Sequence, residues 1–232
     1  MRLLPVVLLA LLAAPAQADD PSSMQFDVRL LGLKAGTIEI AANVNDRAYA
    51  ARTRFRTAGV VGALKQVRAD VSVQGRVAGG ALKPQTYSEA IDDGSRVTNV
   101  KVQFAPGQPR LLSGDTGSSA PPADTSKLNG AIDPLTLLYV ALRDQPRDEV
   151  CRFQADVYDG HRHAVITLKG RQPNGSTITC NGSYRRVAGY SDSEREKRNV
   201  GISVTYVPAG DVMRAERVAF DTKLGPAVMD RR

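Results

Sequence analysis

The sequence has no tryptophan, and it has only two histidines and two cysteines in 232 residues. Two histidines leave few side chains that could act as a general base, and no serine lies in the G-x-S-x-G pattern of a hydrolase nucleophile. No glycine cluster combines phosphate-loop spacing with a following helix. The sequence therefore contains no catalytic constellation, and we expect a protein that is not an enzyme and uses no cofactor.

Aromatic residues are also scarce, at 5% of the chain, and the basic residues behind the net charge of +7 are scattered. Nucleic-acid binding requires a concentrated basic face with aromatic stacking platforms, so we expect no nucleic-acid partner. The chain has 20 glycines, 13 prolines and 42% hydrophobic residues. This composition favours a β-rich protein with many turns over a helical bundle.

The first residues of the chain have the pattern of an export signal. Arg2 precedes the apolar run Leu3–Pro15, which is too short to span a bilayer, and a small-x-small site ends at Ala18. We predict a signal peptide over residues 1–18, cleaved before Asp19. No cysteine follows the apolar run and no later segment resembles a membrane helix, so we expect a soluble protein of the periplasm without a transmembrane segment.

Strand signals continue from there to the end of the chain. Alternating stretches such as RAYAARTRFRT recur at short spacing between turn residues, and we count about ten strands. We place the first turn at Lys34–Gly36 and assign SGDTGSSAPPADTSK to a surface loop. The pattern predicts a single mainly β domain over residues 19–232, folded as an antiparallel open barrel or a strongly coiled, β-spiral-like sheet.

One main α-helix is predicted in the stretch DPLTLLYVALRDQP. Asp133 is a good N-cap with Pro134 at the first helical position, and Pro146 should end the helix. Its apolar face has the spacing i, i+3, i+4 and i+7 and consists of Leu135, Leu138, Tyr139 and Leu142. We expect this face to pack on or in the open side of the curved sheet.

The two cysteines, Cys151 and Cys180, could form a disulfide, a metal clip or a catalytic thiol pair. They are not a CxxC pair, two thiols alone do not make a zinc site, and exported proteins usually pair their cysteines, so we predict a disulfide. They lie on the first and third strands of a meander, roughly 9.6 Å apart, whereas a disulfide needs Cα atoms within about 7 Å. The bridge is therefore possible only near strand ends or where the sheet coils sharply. A longer or bulged loop between Lys169 and Gly175 is also needed to turn Cys180 inward.

Both histidines lie in the hairpin that contains Asp159–Gly160, a strong turn signal. A two-residue turn there pairs Tyr158 with His161 and places Asp156 opposite His163. His161, His163 and Asp156 are thus weak candidates for a divalent-metal site. A wet hairpin tip without a fourth ligand favours an ordinary polar strand face, so we expect no metal.

Seven stretches run along nearly the whole chain after the signal: FDVRLLGLKAGTIEI, RTRFRTAGVVGAL, GGALKPQTYSE, DPLTLLYVALR, CRFQADVYDGHRH, TCNGSYRRVAGY and VAFDTKLG. Together they resemble a bacterial periplasmic family known as domain of unknown function 3108. The export signal, the strand count, the DPLTLL helix and the cysteine pair are also similar to the envelope-integrity β-spiral proteins. Those are exported, disulfide-linked open barrels tied to cell-envelope maintenance. Neither resemblance implies a catalytic residue.

These features together indicate a periplasmic protein that supports envelope integrity by binding another periplasmic protein. The alternative is a carrier of a lipid or other hydrophobic ligand inside the half-barrel. Small inward residues such as Ala51, Ala155 and Ala164 permit either strand curvature or a vacant cavity. The leucine face of the helix is well placed to plug the interior, which favours the protein partner.

Overall fold

Most of the chain folds into one antiparallel β-sheet of thirteen strands in the computed structural model. The structure describes residues 20–104, 107–222 and 225–232. The predicted signal peptide and its cleavage site between Ala18 and Asp19 lie outside the described residues.

The strands follow each other along the chain with only short interruptions. They are β1 (Asp20–Leu30), β2 (Leu33–Val44), β3 (Ala48–Thr57), β4 (Arg68–Ala78), β5 (Ala81–Asp92), β6 (Val97–Gln103), β7 (Arg110–Asp115), β8 (Phe153–Tyr158), β9 (His163–Asn174), β10 (Thr177–Ala188), β11 (Asn199–Ala209), β12 (Val212–Thr222) and β13 (Gly225–Arg231). The α-helices are α1 (Gly59–Leu64), α2 (Pro134–Leu142) and α3 (Asp192–Arg195), and a 3₁₀ turn spans Thr125–Lys127.

The strand order in the sheet is β7-β6-β5-β4-β3-β2-β1-β13-β12-β11-β10-β9-β8. Consecutive strands pair with each other except β7 and β8, which form the two edges. The sheet is continuous because β13 pairs with both β12 and β1 and so joins the two halves of the chain. The prediction of a mainly β, open antiparallel sheet with one main helix is confirmed.

The sheet curls until the β8–β9 hairpin reaches strands near the opposite edge. A Cβ atom placed on Gly160 in the hairpin turn would lie 2.7 Å from Val100 on β6 and 3.3 Å from Leu111 on β7. The rings of Phe104 and Tyr158 also meet edge to face, with centroids 6.5 Å apart. The two ends of the sheet are therefore brought together by side-chain packing.

The segment between β7 and β8 makes backbone contacts where the two ends of the sheet come together, a boundary that we call the seam. Ile132 forms a single parallel bridge with Val157 on β8, and the Ala123 N–H donates to the His161 carbonyl at 2.8 Å. Among the described residues no ladder joins β7 to β8 directly. The barrel is thus open in its hydrogen bonding but covered at the seam.

Helix α2 lies inside the curl, because it contacts β3, β4, β8 and β12, which come from both halves of the sheet. Leu135, Tyr139 and Leu142 of the predicted face are buried, whereas Leu138 is half-buried. The helix ends at Leu142, earlier than the predicted stop at Pro146, because the Gln145 backbone pairs with Met213 on β12.

Three further details differ from the sequence predictions. The first turn is Leu31–Gly32, where both residues have positive φ (52° and 81°) as a two-residue type I′ hairpin turn requires. The predicted position, Lys34–Gly36, instead holds a bulge at Ala35. The sheet has thirteen strands where about ten were predicted; β7 and β13 match no predicted strand, and β7 takes in the first residues of the predicted surface loop, Ser113–Asp115.

Candidate functional site

The Cys151–Cys180 disulfide is present, with Cα atoms 5.0 Å apart, so this prediction is confirmed. Cys180 is fully buried on β10, whereas Cys151 precedes β8 in a turn with a φ of 66°. Because Cys151 lies off the strand end, the bridge can cross over β9, which separates β8 from β10 in the sheet. A bulge at Lys169 of β9, opposite Asn181 and Gly182, shifts the inward–outward alternation of side chains by one residue. As a result, Cys180 points inward.

The two histidines occupy different environments. His163 Nε2 lies 2.6 Å from Asp156 Oδ1, although the predicted register was wrong and His163 pairs with Tyr158. The connection has four residues because the Asp159 carboxylate accepts the N–H groups of the two residues that follow Gly160, at 2.9 and 2.7 Å. His161 is held apart in this turn, and its Nε2 is buried without a partner.

No metal-binding group emerges from this hairpin. In the part of the chain that the structure describes, no three His, Cys, Asp or Glu side chains gather closely enough to hold a metal ion. The structure thus brings Asp156 and His163 together but leaves His161 outside the pair.

The start of α2 is fastened to the sheet by buried polar groups. Asp133 is completely buried, and its carboxylate accepts the N–H groups of Leu135 and Thr136 at 2.9 Å each. The Thr136 hydroxyl donates to the same carboxylate and lies 2.7 Å from the Tyr49 hydroxyl on β3. Burial raises the pKa of Asp133 to about 6 and also raises the pKa of Tyr49. The role of Thr136 could not be predicted from the sequence, because a threonine adds nothing to an apolar periodicity.

A second polar cluster surrounds the β8–β9 turn. Arg162 lies 3.8 Å from both Asp159 and Glu194, and its guanidinium stacks 5.7 Å from the centre of the Tyr190 ring. The Tyr190 and Tyr184 hydroxyls are 2.6 Å apart, and burial raises the pKa of both groups. These tyrosines therefore stay protonated at neutral pH and are suited to fixing the turn rather than to chemistry.

A cavity of about 240 Å³ lies between the last residues of α2 and strands β8, β9 and β11. Apolar residues and Cys151 form much of its wall, with arginines and a glutamate among the polar residues. The lining residues are Val140, Ala141, Arg143, Gln145, Glu149, Cys151, Arg152, Phe153, Leu168 and Tyr206. The sequence showed no sign of this cavity, because its walls come from segments that meet only in the fold.

A larger groove, of about 620 Å³, crosses β3 to β7 on the outer face. Short side chains such as Ser72, Ser88 and Ser113 line it, and an ion pair between Arg54 and Asp70, 3.4 Å apart, stands at its side. A row of small residues on a curved sheet leaves such a groove without further cause.

Exposed apolar side chains concentrate at one end of the barrel. The structure describes seven large hydrophobic residues as exposed, and five of them belong to the β1–β2 turn, to α1 between β3 and β4, and to the start of β6. They are Leu31, Leu33, Val60, Leu64 and Val97, with exposed fractions of 56% to 85%. In an antiparallel sheet these three connections lie at the same end, and we name the five residues the apolar end. Helix α1 buries none of its side chains.

Several apolar residues inside the curl are not fully covered. Val28, Ile38 and Val71 in one half of the sheet, and Ile202 and Phe220 in the other, are half-buried against the core. The helix itself also leaves Leu138 and Val140 half-buried. The interior is therefore filled only in part.

These features define the molecule as an open β-barrel-like protein whose interior is filled in part by one helix. The model of the family "Protein of unknown function (DUF3108)" matches residues 25–230, so the chain belongs to this family and the predicted resemblance is confirmed.

One similar solved structure is the crystal structure of a beta-barrel-like protein of domain of unknown function DUF1849 from Brucella abortus. The two chains are 11% identical with a TM-score of 0.50, over 91% of this chain and 95% of that chain. At this identity the likeness concerns the fold alone. No curated protein matches the sequence. None of the helices described here is long and apolar enough to cross a membrane.

Proposed function

We propose that this protein is a non-enzymatic periplasmic protein that supports cell-envelope integrity by binding another periplasmic protein through its apolar end. The apolar end carries the proposal. Isolated exposed hydrophobic residues are ordinary, but five at one end of a barrel, with Leu64 at 85% exposure, form the kind of patch that marks interaction sites.

Two other observations support the setting and the class of function. The only two cysteines form a disulfide, a bond that persists in oxidising compartments such as the periplasm. The buried polar groups described above are engaged in capping α2 and fixing the β8–β9 turn, so we assign them structural roles. The predicted signal peptide is consistent with this setting.

The test compares two leucine variants of the full chain in the periplasm of the native host. Leu64→Asp places a charge on the apolar end, and Leu112→Asp makes the same change at a leucine of β7 that is 46% exposed. We expect Leu64→Asp to weaken capture of one specific protein at least about tenfold, because a charge at an interface centre removes a hot spot. Leu112→Asp should leave capture unchanged.

The same pair of variants tests envelope integrity. A strain carrying Leu64→Asp should be as sensitive to detergent as a deletion strain, whereas a strain carrying Leu112→Asp should resemble wild type. Equal capture by both variants, or equal detergent resistance, would show that the apolar end is not the binding surface.

Carriage of a hydrophobic ligand is the second candidate, and the half-buried interior residues such as Ile38 and Phe220 favour it. Because α2 already occupies part of the interior, we expect the purified protein to contain no stoichiometric lipid. Native mass spectrometry that finds one lipid per chain would support the carrier function instead.

A further inference from the structure

The cavity at the end of α2 combines an apolar body with a cationic group. Val140, Phe153 and Leu168 contribute apolar wall, and Arg143 and Arg152 also line it. At about 240 Å³ it is smaller than the roughly 300–1,000 Å³ typical of sites for drug-sized molecules. Its size therefore suits a small ligand rather than a two-chain lipid.

The guanidinium of Arg143 has neither a hydrogen-bond acceptor for its Nε–H group nor a carboxylate partner among the described residues. Its side chain is half-buried, its Nε atom is buried without a hydrogen-bond acceptor, and none of the described carboxylates forms an ion pair with it. The guanidinium as a whole is only half-buried, and an anion in the cavity that Arg143 lines would supply a charge-assisted hydrogen bond to it. An arginine without a paired carboxylate at this cavity thus points to an anionic ligand.

The end of α2 would normally repel an anion, since its last carbonyls carry partial negative charge. Here three of these carbonyls already accept hydrogen bonds. The Tyr139 carbonyl accepts the Arg143 N–H at 2.9 Å, and the Val140 carbonyl accepts the Gln145 side chain at 3.2 Å. The Ala141 carbonyl accepts the Tyr206 hydroxyl at 2.6 Å. Because these carbonyls are already hydrogen-bonded, the helix end repels an anion less, and the positive charge of Arg143 can attract one.

We propose that this cavity binds a small organic anion with an apolar body, of the class of medium-chain carboxylates, with its anionic group on Arg143 and its chain against Phe153 and Leu168. Glu149 also lines the cavity and is exposed, so it disfavours a second negative charge on the ligand. The inference is independent of the proposed protein partner, because the apolar end and this cavity share no residue.

The experiment is calorimetric titration of octanoate into the purified full chain, with octanol as the uncharged comparison. We expect saturable binding of octanoate that Arg143→Met weakens at least about tenfold, since hydrogen bonds to charged groups have that worth. Arg76→Met removes the same charge from an exposed position of β4 and should leave octanoate binding unchanged. Val140→Phe, which fills the cavity while keeping Arg143, should abolish binding.

Thermal unfolding of each variant checks that it is folded, and Arg143→Met should melt no lower than wild type because it removes an unpaired buried donor. Absence of saturable octanoate binding to the wild type would overturn the proposal. Equal affinities for octanoate and octanol, or unchanged octanoate binding by Arg143→Met and Val140→Phe, would overturn it as well. None of these results affects capture of a partner through Leu64.

Discussion

Asp133 shows how much one buried carboxylate contributes to this molecule. It caps α2, and through Thr136 it is linked to Tyr49 on the sheet. An aspartate could be predicted as the cap from the Asp-Pro pair, which is a local signal. Its complete burial could not be predicted, because that results from the curling of distant strands around the helix.

The raised pKa of Asp133 predicts a specific pH dependence of stability. Burial raises this pKa from 3.8 to about 6 in the folded protein, so between these values the folded state binds the proton more tightly than the unfolded state. Stability should therefore fall as the pH rises through this window, by about 1 kcal/mol between pH 5 and pH 7. Urea unfolding at the two pH values measures the difference.

Asp133→Asn is the control for this pH effect, since asparagine keeps the cap acceptor but does not titrate. Burial raises the pKa of Glu89 too, so a small slope of the same sign should remain. The pKa values of Asp27 and Asp93 are lowered to about 2, that of Asp27 by Arg232 and that of Asp93 by Ser95. Their titration therefore changes stability only below pH 5. An undiminished slope in Asp133→Asn would show that another group is responsible.

At the scale of elements, α2 offers a matched pair of leucines. Leu135 is 2% exposed, whereas Leu138 on the same predicted face is half-buried. Leu135→Ala should lower the free energy of unfolding by about 2–5 kcal/mol, since it leaves a cavity between helix and sheet. Leu138→Ala should cost clearly less. Denaturant unfolding compares them, and equal losses would mean that the helix packs differently.

The elements that sequence patterns predicted are those with strong local signals, and the missed ones lack them. Strand β13 is short and begins beside Pro226, a residue that usually argues against an inner strand. Strand β7 is exposed on both faces and bulged at Leu112, so it shows no alternation. The β8–β9 turn was located at Asp159–Gly160, but its register depends on side-chain hydrogen bonds to the backbone.

The candidate sites were less predictable than the strands. Leu33 and Leu64 are ordinary residues in the sequence, and they lie at the same end of the barrel only because the strand order brings their connections there. The cavity beside Arg143 likewise requires the helix end and three strands to meet. Only the cysteine pair could be assigned beforehand, since the chain has just two cysteines and the predicted export favours their pairing.

At the scale of the whole molecule, the disulfide should contribute a large part of the stability. It joins residues separated by 29 positions, and a loop of this length corresponds to roughly 3–4 kcal/mol in the chain-entropy model. The double variant Cys151→Ala, Cys180→Ala should lose about this amount in denaturant unfolding. Reductant should lower the stability of the wild type to that of the variant and leave the variant unchanged. Two reactive thiols in the native protein would contradict the bond.

The strand that makes the sheet continuous, β13, lies about 200 positions along the chain from the strand β1 that it pairs with. The two half-sheets share a hydrogen-bonded ladder where β13 pairs with β1, and there Arg232 donates to Asp27, 205 residues away. Until β13 is available, β1 and β12 remain edges that can pair wrongly. Joining the half-sheets therefore depends on contacts of long sequence separation, which form slowly. Removal of the last eight residues would leave two half-sheets that no longer have a strand in common.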